Sequence, residues 1–241
     1  MIYRQSGISN SYFWNNKNYE GQKKIKNDVH YLFVLNPDTI IQENTIQKLV
    51  EYLSSKHRVG MVGPKILNSN GTLQLSSKRS IPSVSVSFPK MMGLSKLFPK
   101  NKWAGKYNLT YLDENKTHSI DAISGSAMMV KEKIFTQLGG FDERFFMYGE
   151  DLDLCKRIGQ LGYEIHYFPK TKIIHYGGES VRTAKFKSIN AFFSSMSLFY
   201  KKHFSTSTSR ILSLFIKVGI LLKRFSAFVI EWKSQIISLP I

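Results

Sequence analysis

The sequence has one cysteine, Cys155, among 241 residues, which excludes an internal disulfide and fits a reducing compartment. Acids are scarce: 17 stand against 34 lysines and arginines, for a formal net charge of +17. That imbalance favours anionic partners (nucleic acid, an acidic membrane surface, a phosphate-bearing small molecule) without choosing among them. Long hydrophobic runs are missing too. No stretch reaches the roughly 18 uncharged apolar residues of a spanning helix. Residues 1–30 hold no continuous apolar leader and are rich in Asn, Lys and Ser. The expectation is a cytoplasmic protein, at most attached to a membrane surface. Its hydrophobic fraction, 42%, is that of a globular chain able to bury a full core.

What is present alternates between strand and helix. After an irregular, polar residues 1–20 and a short helix over Glu20–Lys26, Tyr31–Leu35 is an unbroken apolar run, the pattern of a strand buried on both faces as in a parallel sheet. Asn44–Ser54 reads as an amphipathic helix capped by Asn44. Val59–Ile66 follows as a strand, Asn68–Gly71 as a turn, and Thr72–Leu75 as a second short strand. From 76 to 108 the chain is basic and broken by Pro82, Pro89 and Pro99. It reads as an inserted lid or linker with short helices near Met91 and Leu97, whose lysines are available to phosphates or lipid headgroups. Apolar residues return around Ser124–Ala127. A helix over Lys131–Leu138 stops at Gly139-Gly140, and two further strands, Tyr163–Phe168 and Lys172–Tyr176, are separated by Pro169. This order implies an α/β domain over residues 1–180.

Three places carry chemistry. Phe141 to Cys155 sets Asp142, Glu143, Glu150, Asp151 and Asp153 beside Phe141, Phe145, Phe146 and Tyr148. Leu154, Cys155, Ile158 and Leu161 at helical spacing put Glu150 and Asp151 in the first turn of a helix. There an acid either caps the helix or, against an apolar wall, gains a raised pKa and serves as a general base. Asn36-Pro37-Asp38 ends a strand, so Asp38 either shapes a turn or projects into the crevice where α/β sheets gather ligands. His175, at another strand end, is by itself an ordinary structural histidine. In the company of Asp38 and Asp151 it becomes a candidate metal ligand.

The runs Gly125–Lys131, Gly139–Phe146, Gly149–Cys155 and Ile174–Ser180, with Leu35–Asp38 and Gly71–Pro82, resemble family 2 glycosyltransferases, and within them the bacterial rhamnosyltransferase-like branch. The resemblance spans about Tyr31 to Ser180. It implies a GT-A-type (Rossmann-like) mixed sheet flanked by helices. It also implies inverting transfer of rhamnose or a similar hexose from a nucleotide-diphosphate donor to a lipid-linked or oligosaccharide acceptor in surface polysaccharide biosynthesis. By the same resemblance Asp38 and His175 hold a divalent metal, Mg²⁺ or Mn²⁺. Asn36 and Asp38 meet the donor diphosphate, Asp151 is the catalytic base, and Gly125 and Glu150 line the acceptor side. Relative to that pattern the chain is expected to lack an N-terminal nucleotide-binding portion, which would leave Tyr31–Leu35 with an open edge. A truncated, inactive remnant is therefore one alternative, and a glycoside hydrolase using paired carboxylates is another. A nucleic-acid partner is not expected, because no aromatic–basic interleaving accompanies the charge.

Residues 181–241 read as a basic helical tail. Ser213, Lys217, Arg224 and Glu231 form a narrow polar stripe, leaving a wide apolar face that either packs on the domain or lies in an anionic membrane interface. The second setting implies a peripheral protein on the inner face of the plasma membrane.

Overall fold

The computed structural model describes residues 2–3, 12–15, 30–177 and 185–237. The expected helix over Glu20–Lys26 and the Gly178-Glu179-Ser180 end of the family-like run lie outside the described residues. The chain divides into two compact units. One is Met1–Glu143 with Glu150–Tyr176; the other is Arg144–Gly149 with Gly177–Ile241.

The first unit is a mixed sheet with helices on both faces. Its strands are β1 (Ile2–Tyr3), β2 (Tyr12–Asn15), β3 (Tyr31–Leu35), β4 (Thr39–Ile41), β5 (Val59–Leu67), β6 (His118–Ile120), β7 (Ala127–Lys131) and β8 (Glu164–His175). They lie in the order β1-β2-β3-β7-β5-β8-β4, with β6 also on β8. Only β5 and β8 run parallel among the described pairs. The helices are α1 (Thr45–Ser54), α2 (Val84–Met91), α3 (Leu94–Leu97), α4 (Glu132–Gln137) and α5 (Glu150–Gln160).

The apolar run of β3 follows from its covered faces. Tyr31 and Phe33 pack with Met129, Val62 and the α1 residues Leu49, Val50 and Leu53. Val34 points the other way, into a cluster of Met61, Met128, Val130, Ile134, Leu154 and Ile158. A strand alternates sides at every residue, so two buried faces demand an apolar residue at every position. Strand direction is a separate matter, and here both neighbours of β3, β2 and β7, are antiparallel to it. The expected open edge is absent as well, because Tyr12–Asn15 pairs along Leu32–Leu35 where irregular chain was expected.

Other expectations shift in detail. Asn44 occupies the N-cap of α1 in the left-handed region, φ 58°, but its side chain makes no capping bond. The anticipated strand near Thr72 reduces to one bridge, Leu67 to Leu73, followed by a 3₁₀ turn over Leu75–Ser77. The proline-rich insertion is built structure, with α2 capped by Ser83 Oγ at 3.4 Å from Val86 N. Some of its basic residues are engaged and others face outward: Lys78 is buried with Nζ 2.5 Å from Leu109 O, and Lys90 Nζ lies 3.7 Å from the centre of the Tyr107 ring, whereas Lys96, Lys100, Lys102 and Lys106 are exposed. Pro169 does not divide two strands. β8 runs through it as one strand of 12 residues, and the pairing with β5 slips between Pro64–Phe168 and Lys65–Lys172. A residue without N–H is accommodated at such an irregularity.

The second unit is helical: α6 (Lys185–His203) and α7 (Arg210–Ile237) pack as a pair. Phe186 stacks on Phe228 with ring centres 5.6 Å apart, Lys185 Nζ lies 3.1 Å from Glu231 Oε1, and Arg224 donates to Asn190 Oδ1. The apolar face of α7 is exposed. Ile211, Phe215 and Phe225 are 72%, 69% and 70% exposed, whereas Ser213, Arg224 and Glu231 of the polar stripe are partly buried. No helix among the described residues is long and apolar enough to cross a membrane.

Candidate active site

The metal-type pair forms where β3 ends. Asn36 N donates to Ser126 O at 3.0 Å as the last rung beside β7. Pro37 then turns the chain into β4, which returns alongside β8 with Thr39 opposite His175. This brings Asp38 Oδ1 to 3.2 Å from His175 Nε2. Asp38 Oδ1 is buried and still lacks a well-directed hydrogen bond. Asn36 Nδ2 lies 3.4 Å from the same ring nitrogen.

On the far side of the ring, Nδ1 lies 3.0 Å from Gln74 Nε2, 3.2 Å from Gln74 Oε1 and 3.2 Å from Ser126 Oγ. The Gln74 amide therefore offers a donor and an acceptor to the same nitrogen. It can hold the tautomer that points N–H at Asp38, or the one that leaves Nε2 free to ligate. No group of three or more His, Cys, Asp or Glu side chains converges among the described residues, so Asp151 does not join Asp38 and His175 in one ligand set. One carboxylate oxygen and one imidazole nitrogen suit an open divalent site, in which Asp38 and His175 would hold the ion and other oxygen ligands would complete it.

The acids of α5 divide into three states. Asp153 is fully buried and paired with Arg157 at 2.7 Å. Arg157 also donates to Leu138 O and Gly140 O, so this pair ties α5 to the Gly139-Gly140 corner. Asp151 Oδ2 accepts from Arg79 Nη2 at 2.5 Å and from Gly125 N at 3.0 Å, and Oδ1 accepts from Leu152 N at 2.7 Å. Burial alone would lower the pKa of Arg79, but the Asp151 carboxylate, with a smaller contribution from Tyr107, raises it instead. Glu150 is the contrast. Its Oε2 is buried without a partner, and burial first, then the neighbouring charge of Asp151, push its carboxyl up to about 8.

The expected aromatic wall is not one wall. Phe141 packs edge-on against Phe135, Tyr148 packs edge-on against Phe192 in the helical unit, and Phe146 is 65% exposed.

The loop Ser124-Gly125-Ser126, between β6 and β7, links the two groups. Gly125 N–H holds Asp151, Ser126 Oγ touches His175, and Ser124 Oγ lies 3.0 Å from Ser126 Oγ. A Cβ on Gly125 would sit 3.4 Å from Asp151 Cβ and 3.7 Å from Glu150 Oε1, so this glycine keeps the space over the acid pair open.

Sequence reasoning placed Asn36, Asp38, Gly125, Glu150, Asp151 and His175 here, all within the first unit. It missed Gln74 as the partner of His175, although Gln74 lies inside a quoted family-like run. Arg79 it did not single out within the basic insertion, because nothing in the spacing marks a buried guanidinium. Two surface clefts lie elsewhere, beside Lys187 and Ser194 and beside Lys48 and Tyr52.

The chain is similar to several known proteins. The chain is 31% identical over 150 residues to N-acetylglucosaminyl-diphospho-decaprenol L-rhamnosyltransferase of Mycobacterium tuberculosis, covering 62% of this chain and 48% of that protein. It is 31% identical over 169 residues to rhamnosyltransferase WbbL of Escherichia coli, covering 68% and 59%. It is 29% identical over 178 residues to the low-salt glycan biosynthesis hexosyltransferase Agl10 of Haloferax volcanii, covering 70% and 52%. The chain thus spans about half the length of the curated relatives it matches. Among solved structures, GalNAc-T7 with UDP, GalNAc and Mn²⁺ aligns with a TM-score of 0.41 at 17% identity, over 61% of this chain and 27% of that one. The model of the family described as "Glycosyltransferase like family 2" matches residues 16–196, three quarters of the sequence. The chain belongs to that glycosyltransferase family.

Proposed function

We propose that the protein is an inverting glycosyltransferase that moves rhamnose or a similar hexose from a nucleotide-diphosphate donor to a lipid-linked or saccharide acceptor. It would serve surface polysaccharide biosynthesis, working from the cytoplasm at the inner face of the plasma membrane. The observation that carries this reading is the set of buried polar atoms left without hydrogen-bond partners in the first unit: Asp38 Oδ1, Arg79 Nε and Glu150 Oε2. Buried polar groups are almost always satisfied, so three together, strung along the Ser124–Ser126 loop, suit a site completed by ligand. Asp38 and His175 would hold Mg²⁺ or Mn²⁺, which when bound supplies charge neutralisation to the leaving diphosphate. Asn36 and Asp38 face the donor side, and Gly125 and Glu150 the acceptor side.

Two carboxylates compete for the base. Asp151 is the position the family pattern favours, but both of its oxygens already accept hydrogen bonds, one from a guanidinium. Glu150 has the unpartnered oxygen and, with a pKa of about 8, the greater basicity. The second reading makes Glu150 the proton acceptor and Asp151 the residue that fixes Arg79 and Gly125. Family membership removes the ground for the glycoside hydrolase alternative, while an inactive remnant is an outcome of the test.

That test is calorimetric titration of the full chain with UDP- and dTDP-sugars, with and without Mn²⁺, beside Asp38→Ala. Metal-dependent binding that Asp38→Ala abolishes is the expected result, and absence of binding to a folded chain overturns the proposal. With a donor identified, Asp151→Asn and Glu150→Gln separate the bases. If Glu150 is the base, its activity rises with pH towards about 8, and only Glu150→Gln removes that limb.

A further inference from the structure

The helical unit buries Phe193, Phe199, Tyr200 and Ile220 and still turns a second apolar face outward. In a water-facing helical pair the apolar stripes meet and the charges look outward. Here the contacts between α6 and α7 include the Lys185–Glu231 ion pair and the Arg224–Asn190 hydrogen bond beside the Phe186–Phe228 stack. Meanwhile Ile211, Leu214, Phe215, Leu222, Phe225 and Trp232, which recur at helical spacing along one side of α7, are between 60% and 72% exposed. Monomeric proteins rarely show so large a continuous apolar surface without a partner for it.

Charge says which partner. From Lys185 to Lys233 there are nine lysines and arginines and one acid, and that acid, Glu231, faces inward to Lys185. The exposed flanks of the apolar stripe are basic, at Lys201, Arg210, Lys217 and Lys233. A protein groove or a second copy of this pair would set these cations against an apolar or equally cationic surface. An anionic lipid interface takes both features at once, acyl chains under the aromatic and aliphatic stripe and headgroup phosphates against the lysines. Because no described helix can cross a membrane, the pair lies in the interface plane.

We infer that α6 and α7 form a monotopic anchor, docked through the outward apolar face of α7 into an anionic bilayer, with Arg224 and Glu231 serving the contact between helices and not the water. This supplies the membrane partner of the proposed transferase and rests on that reading only for the purpose of docking. Vesicle binding and donor binding are read separately, so either can fail while the other stands.

The test is flotation of the full chain with vesicles of phosphatidylcholine alone or with 30 mol% phosphatidylglycerol, together with Trp232 emission in a Trp14→Phe, Trp103→Phe background. Expected are binding to the anionic vesicles, a blue shift of Trp232 and quenching by brominated acyl chains. Phe215→Gln with Phe225→Gln should weaken binding at least tenfold while leaving the far-ultraviolet circular dichroism intact. Lys217→Glu should weaken it severalfold, with the wild-type advantage shrinking at 0.5 M salt. No binding to either vesicle overturns the inference. So does a concentration-dependent dimer, measured by light scattering, that disperses in the Phe215, Phe225 variant, for then the face belongs to a second copy. Binding that Phe215→Gln with Phe225→Gln leaves unchanged overturns it as well, because a purely electrostatic contact does not use the apolar stripe.

Discussion

Glu150 and Asp151 are neighbours in the chain and opposites in state: one carboxylate is saturated with donors, the other is buried with an oxygen to spare. This difference is open to measurement through stability. An unfolded Glu ionises near 4.5, whereas Glu150 in the fold ionises only near about 8. Its folded pKa is raised, so its contribution is fully present below pH 4.5 and lost as pH climbs to about 8. Glu150→Gln cannot ionise and should lack that decline. In thermal melts at pH 5, 6.5 and 8 the variant should gain on the wild type at each step; parallel curves would mean that Glu150 is not held protonated by the fold. At this scale the sequence picked out candidate residues and was mute about their states. The Glu150-Asp151 pair, Asp38 and His175 stand in recognisable runs. That Arg79, 72 positions before Asp151, would occupy its carboxylate depends on a tertiary contact that no local spacing encodes. Gln74 beside His175, 101 positions away, is the same kind of omission.

Elements whose pattern is set by burial were readable, and those set by a single residue's chemistry were not. The apolar runs of β3 and β5 and the spacing of Leu154, Cys155 and Ile158 in α5 mark buried faces directly, and each is buried in the fold. Leu161, placed on the same stripe, is 39% exposed because the helix has ended before the Gly162 turn, φ 82°. Pro169 misled in the other direction. A proline inside a strand is admissible where the ladder slips, and the slip is a property of the β5–β8 pair, not of the residue. The β2 strand had no periodic signature, and its pairing with β3 is what defines it. Asp153 is an element-scale residue, since its pair with Arg157 fastens α5 to the corner at Gly139-Gly140. Removing one partner of a buried ion pair leaves a charge uncompensated. Asp153→Ala should therefore cost about 3 kcal/mol in urea denaturation, against a loss of under about 1 kcal/mol if the pair behaved as a surface one.

At the scale of the whole molecule the inward-turned cations Arg79, Lys65 and Arg157 are each matched by an acid, Asp151, Glu114 and Asp153 in turn. The net charge of +17 therefore lies with the other basic residues, and part of it borders the apolar side of α7. Hydrophobic periodicity found that side and could not say which way it looked, since a stripe turned to the core and a stripe turned to lipid have the same period. On the proposed anchoring and the proposed activity, its outward direction changes how the enzyme would meet a lipid-linked acceptor. An enzyme held on a bilayer samples an area, so the quantity that governs its encounters with a lipid-linked acceptor is mole fraction in the leaflet and not molarity in the tube. At fixed enzyme and fixed total acceptor, adding inert anionic vesicle lipid that carries the acceptor at lower density should slow turnover in proportion to the dilution. A soluble saccharide acceptor, delivered from bulk water, should be indifferent to it. Surface dilution of this kind turns the direction in which one helix faces into a rate law.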